Sequence, residues 1–419
     1  MDQNKFSKKK KKRGQWIIFS IGTLTGILLS IIFVIGFLLI NNIFFVTGGY
    51  LKENNDNLGQ EKTTIVDKEF TDKVRRLESI IREEFYLHDV DMEALENGAY
   101  QGMLDSLDDI YSTYYTKEEY KEVLESSEGI YYGIGSYVSM DEKTGYAVLS
   151  EVMKDTPADK SGLEDGDVIY KINGEDMAGL DLTQVVSKVK GEEGTSVELT
   201  ILRDNKEMEF NVLRAKVETE TVIYEILEDE IGYVRIKSFD EVAPKQFKEA
   251  LDKFKEAQTK GLIVDLRGNP GGGLYTVLEI ADMLLEEKLI LYTEDSKGKR
   301  ENYETGFYDK VDEPIIVLVD GGSASASEVL AGALKDYEAA TLVGTTTFGK
   351  GIVQTLRMLK DGTAVKITTS AYYTPDGNNI HKIGIDPDIE VEFDAEQYEE
   401  NEVDNQLQAA IEEMKKQMK

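Results

Sequence analysis

The sequence predicts a mixed α/β chain: one transmembrane helix, then a body whose strand–helix alternation is interrupted by a compact β-rich module. Three observations carry this. Residues 14–51 contain no Asp, Glu, Lys or Arg; residues 128–215 are rich in glycine and short β-like runs; and from 219 onward apolar strands alternate with helices. Apolar strands that alternate with helices suggest crossovers around a buried sheet.

The N-terminal segment comes first. Lys5, Lys8 to Lys12 and Arg13 stand against Asp2 alone, so residues 1–50 carry +6 while the chain as a whole carries −32. Trp16 to Ile40 is mostly Ile, Leu, Phe, Val and Gly, longer than the ~20 residues that cross a bilayer core. A cleaved signal peptide has an apolar stretch of only ~7–15 residues followed by small residues at a cleavage site. Neither Asn41-Asn42 nor Thr47-Gly48-Gly49 makes such a site. We therefore read residues 1–15 as a basic cytoplasmic tail, 16–46 as a single-pass anchor in the lipid bilayer of the cell membrane, and 47–66 as a linker. The basic cluster stays inside by the positive-inside rule, which leaves the body extracytoplasmic.

In the body, Phe70, Val74, Leu77, Ile81 and Phe85 recur at helical spacing from about Asp67, and further helical patterns cover 92–106 and 117–127. Residues 67–127 thus form a helical part. The module at 128–215 reads as strands at Ile134–Val138, Tyr146–Val152, Val168–Ile172 and Val197–Leu202 with a helix at Leu182–Val189. Residues 216–395 alternate Ile231–Ile236, Pro244–Phe254, Leu262–Leu266, Leu274–Leu285, Ile315–Val319, Ala326–Leu334 and Thr341–Val343, then turn β-rich from Ile352 to Thr374. Residues 396–419, charged and with Leu407, Ile411 and Met414 at helical spacing, read as a solvated or partner-seeking helical tail.

Composition narrows the chemistry. A surface with 80 acidic against 48 basic residues repels phosphate backbones, so no nucleic acid partner is expected. Cysteine is absent and His88 and His381 are the only histidines, which removes disulfides, thiolate zinc sites and histidine-rich metal centres. No metal and no cofactor are expected. Catalysis would have to use serine, threonine, lysine, tyrosine or carboxylates.

Asp320-Gly-Gly-Ser-Ala-Ser-Ala-Ser-Glu328 follows an apolar strand and opens an apolar helix. A serine in that turn would meet helix N-terminal amides able to hold an oxyanion; an ordinary Ser N-cap explains the same run, and the residues alone leave both open. Gly344-Thr-Thr-Thr-Phe-Gly-Lys-Gly351 nearly matches a phosphate-binding loop, but Gly351 stands where a hydroxyl is needed and Ile352 to Leu356 looks like a strand rather than a helix. On an extended segment Lys350, Ile352 and Gln354 would share one face, so Gln354 could orient the Lys350 amine. Asp265-Leu-Arg-Gly-Asn-Pro-Gly-Gly-Gly273 ends a strand in glycines that either expose amides to an anion or make a tight turn. Tyr132-Gly-Ile-Gly-Ser136 opens the β module.

Together these stretches resemble the carboxy-terminal processing, or tail-specific, proteases, over roughly residues 100–395. "SLDDIYSTYYT", "GIG", "TPADKSGLEDGDVIYKING", "DLRGNPGG", "GGSASASE", "GTTTFGKG" and "YYTPDG" with "GIDPD" occur in the family's order. The resemblance implies a crotonase-like peptidase core with an inserted PDZ domain at 128–215. It implies a serine endopeptidase in which Ser325 is the nucleophile, Lys350 the general base and Gln354 the completing residue. The oxyanion hole falls on the backbone N–H groups of Ala326 and, from the 271–273 run, Gly271. Tyr132, Gly133, Ile134 and Gly135 become the peptide-binding loop of the PDZ domain. Lys190 stands where relatives often have arginine.

A serine without an imidazole needs another base, and lysine serves only if its pKa falls from ~10.4 toward ~7–8. His381, in a polar turn after Asn378-Asn379, is the alternative base. The implied function is cleavage near the C-termini of extracytoplasmic proteins after the PDZ module takes an unstructured tail, with a homodimer made plausible by the terminal helices. A PDZ adaptor without catalysis is the rival, and intact Ser325, Lys350 and Gln354 speak against it.

Overall fold

The computed structural model describes residues 64–419 except 142, 287 and 307–309. The transmembrane helix expected at 16–46 lies outside the described residues. The chain divides into two units between Val90 and Asp91. Of the first, the helix Lys68–Glu84 begins where the Asp67 carboxylate accepts the Phe70 N–H at 2.8 Å, a side-chain cap for an amide the helix cannot satisfy.

The second unit opens with the helix Met92–Asp105, β1 (Thr113–Tyr115) and the helix Lys117–Glu128. Thr116 and Glu119 close a reciprocal capping box at that helix's start and left-handed Gly129 ends it. Strand β2 (Ile130–Gly133) leads into the β module: β3 (Ser136–Met140), β4 (Ala147–Val152), β5 (Val168–Ile172), β6 (Glu175–Asp176), β7 (Ser196–Arg203) and β8 (Lys206–Leu213). Its sheet runs β3-β4-β5-β7-β8 with β6 beside β5. Ile134, Leu149, Ile169, Val185, Leu199 and Ile201 close one core between this sheet and the helix Leu182–Val189. Strand β9 (Ala215–Glu218) then pairs antiparallel with β2, so the passages into and out of the module form one ribbon. Tyr132 sits in that ribbon opposite Lys216.

The remaining strands are β10 (Val222–Leu227), β11 (Ile231–Ile236), β12 (Gly261–Asp265), β13 (Leu289–Asp295), β14 (Arg300–Glu304), β15 (Ile315–Val319), β16 (Ala340–Gly344), β17 (Ile352–Met358), β18 (Ala364–Tyr373) and β19 (Ile389–Glu390). One sheet has the order β10-β11-β12-β15-β16-β19, parallel from β11 onward. The other runs β1-β18-β13-β14, with β17 also paired to β18. Strands β12 and β15 are buried along their whole length, because alternate residues face two cores. Leu262, Val264, Val317 and Val319 face the helices Ala243–Ala257, Leu274–Leu284 and Ala326–Asp336. Ile263, Ile316 and Leu318 face the other way.

That second face corrects the expectation for residues 396–419. The helix Asn405–Gln417 buries Ala410 and Met414 against Ile231, Ile263, Ile316 and Leu318; it belongs to the core. Its apolar stripe is narrow because small Ala410 lets the helix approach closely, so little apolar sequence was needed to cover the sheet. Arg267 ties the helix start to the end of β12, pairing bidentately with Asp404 (3.0 and 2.8 Å) and also with Asp265 and Gln406. Truncating the fully buried Met414 to Ala should destabilise the protein by about 2–5 kcal/mol, read as a lower denaturant midpoint; an unchanged midpoint would mean the helix does not hold the sheet.

Candidate active site

Neighbouring parallel strands β12 and β15 end side by side, Asp265 opposite Leu318, so the loops that follow them converge at the carboxyl end of the sheet. The loop after β15 turns into the helix Ala326–Asp336 through Ser325, whose φ of 54° and ψ of −111° are rarely adopted by a side-chain-bearing residue. Surrounding bonds hold it there. Ser325 N–H donates to Glu328 Oε2 at 2.9 Å, and the Tyr372 hydroxyl donates to the Ser325 carbonyl at 3.2 Å. Ala324 N–H donates to the Asn269 carbonyl at 3.0 Å.

The three serines of this turn separate by their bonds. Ser323 Oγ donates to the Leu266 carbonyl at 2.8 Å and Ser327 Oγ to the Asn269 carbonyl at 2.9 Å, both fully buried. They rivet the turn to the loop after β12. Ser325 is partly exposed, and it forms a capping box with Glu328 at the start of the helix rather than tying its hydroxyl into the loop after β12.

The glycine loop presses on this turn. A Cβ on Gly271 (φ 105°) would stand 2.8 Å from both Ser325 Cβ and the Ala324 carbonyl oxygen, so only glycine allows the approach. Buried Asn269 shapes the loop, donating to the Ile236 carbonyl and accepting Gly271 N–H at 2.8 Å. Of the two expected oxyanion donors, Ala326 N–H has no partner among the described residues, while Gly271 N–H is held by Asn269. The next amide in the run, Gly272 N–H, has none.

Glu328, the third residue of the helix, joins the parts. Glu328, fully buried, accepts Thr347 Oγ1 (2.6 Å) and Gly349 N–H (2.7 Å) on Oε1. On Oε2 it accepts Ser325 N–H (2.9 Å) and Lys350 N–H (2.8 Å). One carboxylate oxygen therefore brings the backbones of Ser325 and Lys350 together. The available signal was a glutamate three residues into a helix that follows a serine.

Lys350 is half-buried, and burial, seconded by the Lys366 ammonium, lowers its pKa from the ordinary lysine value against the opposing pull of Asp109 and Glu328. Its Nζ lies 4.6 Å from the Tyr111 ring centroid, and no hydrogen bond joins it to Ser325 Oγ or to Gln354 in this structure. Gln354 donates instead to Thr368 Oγ1 at 3.1 Å. The expected shared face of Lys350, Ile352 and Gln354 fails because the register of β17 against β18 shifts between Val353 and Gln354, and a bulge breaks simple alternation. The segment after Gly351 is a strand, so the near match to a phosphate loop carries no helix. The turn bearing His381 packs its backbone against Gly351, and His381 Nδ1 is buried without a partner among the described residues.

At the module, Ile134 is buried and Gly135 (φ 86°) turns the chain into β3 beneath Thr156, whose hydroxyl donates to the Gly135 carbonyl. The amides of Ile134 and Gly135 have no partner among the described residues. They sit at the head of β3, an edge strand of its sheet with the helix Leu182–Val189 alongside. Lys190, just past that helix, lies 5.9 Å from the Tyr131 ring centroid.

Comparison with known proteins identifies the domains. Residues 230–391 match the model of peptidase family S41, residues 148–203 a PDZ domain, and residues 42–119 the N-terminal domain of the activating protease CtpB. The chain is 35% identical to the carboxy-terminal processing protease CtpA of Bacillus subtilis, over 83% of this chain and 73% of that protein. To CtpB of the same organism it is 38% identical, over 76% and 67%. A Bacteroides fragilis crystal structure ascribed to S41 shares the fold at 17% identity and a TM-score of 0.50, covering 86% of this chain and 99% of that one. With its mixed α/β core, its PDZ domain and these relatives, the chain belongs to peptidase family S41, the serine-type carboxy-terminal processing proteases.

Proposed function

We propose that this peptidase is anchored in the cell membrane by residues 16–46 and cuts extracytoplasmic proteins near their C-termini, with Ser325 as nucleophile and Lys350 as general base. The observation that supports this most is the shared Glu328 oxygen, which joins the backbone of the one partly exposed serine of the turn to that of the lysine with the lowered pKa. In the reaction, neutral Lys350 Nζ swings from the Tyr111 ring to take the Ser325 Oγ proton as the oxygen attacks the scissile carbonyl carbon. Ala326 N–H and an amide of the 271–272 lip, where Gly271 was expected to serve, receive the developing oxyanion. The lysine returns its proton to the leaving amine, and a water activated by the same base then cleaves the acyl-enzyme. Gln354, expected to complete the arrangement, is held by Thr368 on β18 and acts on the base only if it turns toward it.

The module supplies the tail. Free amides at Ile134 and Gly135 take a terminal carboxylate, and the β3 edge accepts the preceding residues as an added strand. Among the described residues no helix is long and apolar enough to cross a membrane, so anchoring rests on the apolar run at 16–46 and on the basic residues before it.

Variants, substrate tails and protease access test this reading. Ser325→Ala should abolish cleavage of an unstructured protein without unfolding the enzyme, and activity should rise toward alkaline pH as Lys350 loses its proton. Lys350→Arg, fixed in the charged form, should be nearly inactive; appreciable turnover by it would exclude lysine as the base. One substrate offered with a free apolar C-terminus and with an amidated, charged one should be cut much faster in the first form, and equal rates would leave the module without a tail-sensing role. Protease added to intact cells should degrade residues 64–419 and spare a tag placed before Lys5; a protected body would reverse the topology.

A further inference from the structure

We propose that the loop Asp109–Ser112, carried from far outside the serine and lysine loops, is a working part of the catalytic centre: Asp109 is a positioning residue that fixes Gln354 through Thr368, and Tyr111 is the aromatic seat of Lys350. This rests on the reading of Lys350 as the base and extends it to residues no comparison assigns.

The loop is built for one shape. Asp109 Oδ1 accepts Tyr111 N–H at 3.1 Å, and its Oδ2 accepts Ser112 Oγ at 2.6 Å, closing an Asx turn on itself. It is then pinned to β18. Thr368 Oγ1 donates to Asp109 Oδ2 at 2.7 Å, and Thr368 N–H donates to Ser112 Oγ at 3.1 Å. Immediately afterwards β1 pairs with β18, Thr113 opposite Lys366. The Thr368 hydroxyl has a single proton, which it gives to Asp109, so its oxygen is turned to accept from Gln354 Nε2 at 3.1 Å. Asp109 therefore decides which way Thr368, and through it Gln354, presents its polar atoms. The same turn places the Tyr111 ring 4.6 Å from Lys350 Nζ, within cation–π range, where the ring face favours the ammonium form.

Charge supports the arrangement. Burial would raise the Asp109 carboxyl, but the bonds from Ser112, Thr368 and Tyr111 prevail and hold it below its ordinary value, so it is ionised whenever the enzyme works. The charged groups acting on Lys350 are Lys366 from β18, Asp109 from this loop and Glu328 from the serine helix. Lys366 disfavours the ammonium and the two carboxylates favour it. Asp109 thus holds Gln354 in place while keeping the lysine charged longer than burial and Lys366 alone would.

These two effects separate in the pH dependence of kcat, measured with KM and thermal stability on one unstructured protein substrate. Asp109→Asn should lower kcat and move the midpoint of the alkaline-rising limb measurably toward lower pH, because a favourable carboxylate is gone. Thr368→Val keeps the charge and breaks the relay, so kcat should fall about tenfold or more with the midpoint unmoved. Tyr111→Leu should move the midpoint to lower pH, and Tyr111→Phe should restore it, since the ring remains. KM should change little in all four. An Asp109→Asn profile superimposable on the parent's, or a loss of kcat explained by lower stability with no shift of midpoint, overturns the proposal. Full activity in Lys350→Arg would bring down the base reading and this proposal together, an outcome distinct from an inactive Lys350→Arg beside an unaltered Asp109→Asn.

Discussion

The buried carboxylate of Glu328 is the constraint from which the geometry of the site follows. A carboxylate removed from water is costly unless its oxygens are filled; here four donors fill them, three backbone amides and one hydroxyl, from two loops that share no secondary structure. Because each bond is shorter than 3 Å, neither loop can shift by much without stranding the charge. The strained backbone at Ser325 is sustainable for the same reason: the unfavourable φ is over-determined by bonds to Glu328, Asn269 and Tyr372.

Around that fixed point the lysine is set by opposing influences. Burial and Lys366 weaken its ammonium form, while Asp109, Glu328 and the Tyr111 ring favour it. A base that were only buried would lose its proton readily but accept one weakly from serine; one that were only paired would stay charged. The net result is an amine that gives up its proton more readily than an ordinary lysine.

Much of the fold was legible in the sequence because it is written in local periodicity. Ile231–Ile236, Ile315–Val319 and Leu182–Val189 have the boundaries the pattern predicts, and the serine and lysine loops stand out by their small residues. What stayed hidden is what depends on partners distant in sequence. Asp109 meets Thr368, Arg267 meets Asp404, and Gln354 turns to Thr368 because of a bulge; no period of 2 or 3.6 encodes any of these. The last helix was legible as a helix but not as part of the core, because a narrow apolar stripe among charges looks the same in water as against a sheet.

The ribbon of β2 and β9 bears on how such a chain came to exist. Its ladder brings Gly133 opposite Ala215, so the β module begins and ends about one strand spacing apart, ~5 Å. In topological terms the module occupies the tip of a hairpin. Growth there costs the surrounding layers little more than the slowly rising entropy of a longer loop, and it leaves their packing untouched. A folded unit of some eighty residues could therefore be gained or exchanged by an ancestral hydrolase in one recombination step, with the hairpin stem left as the seam.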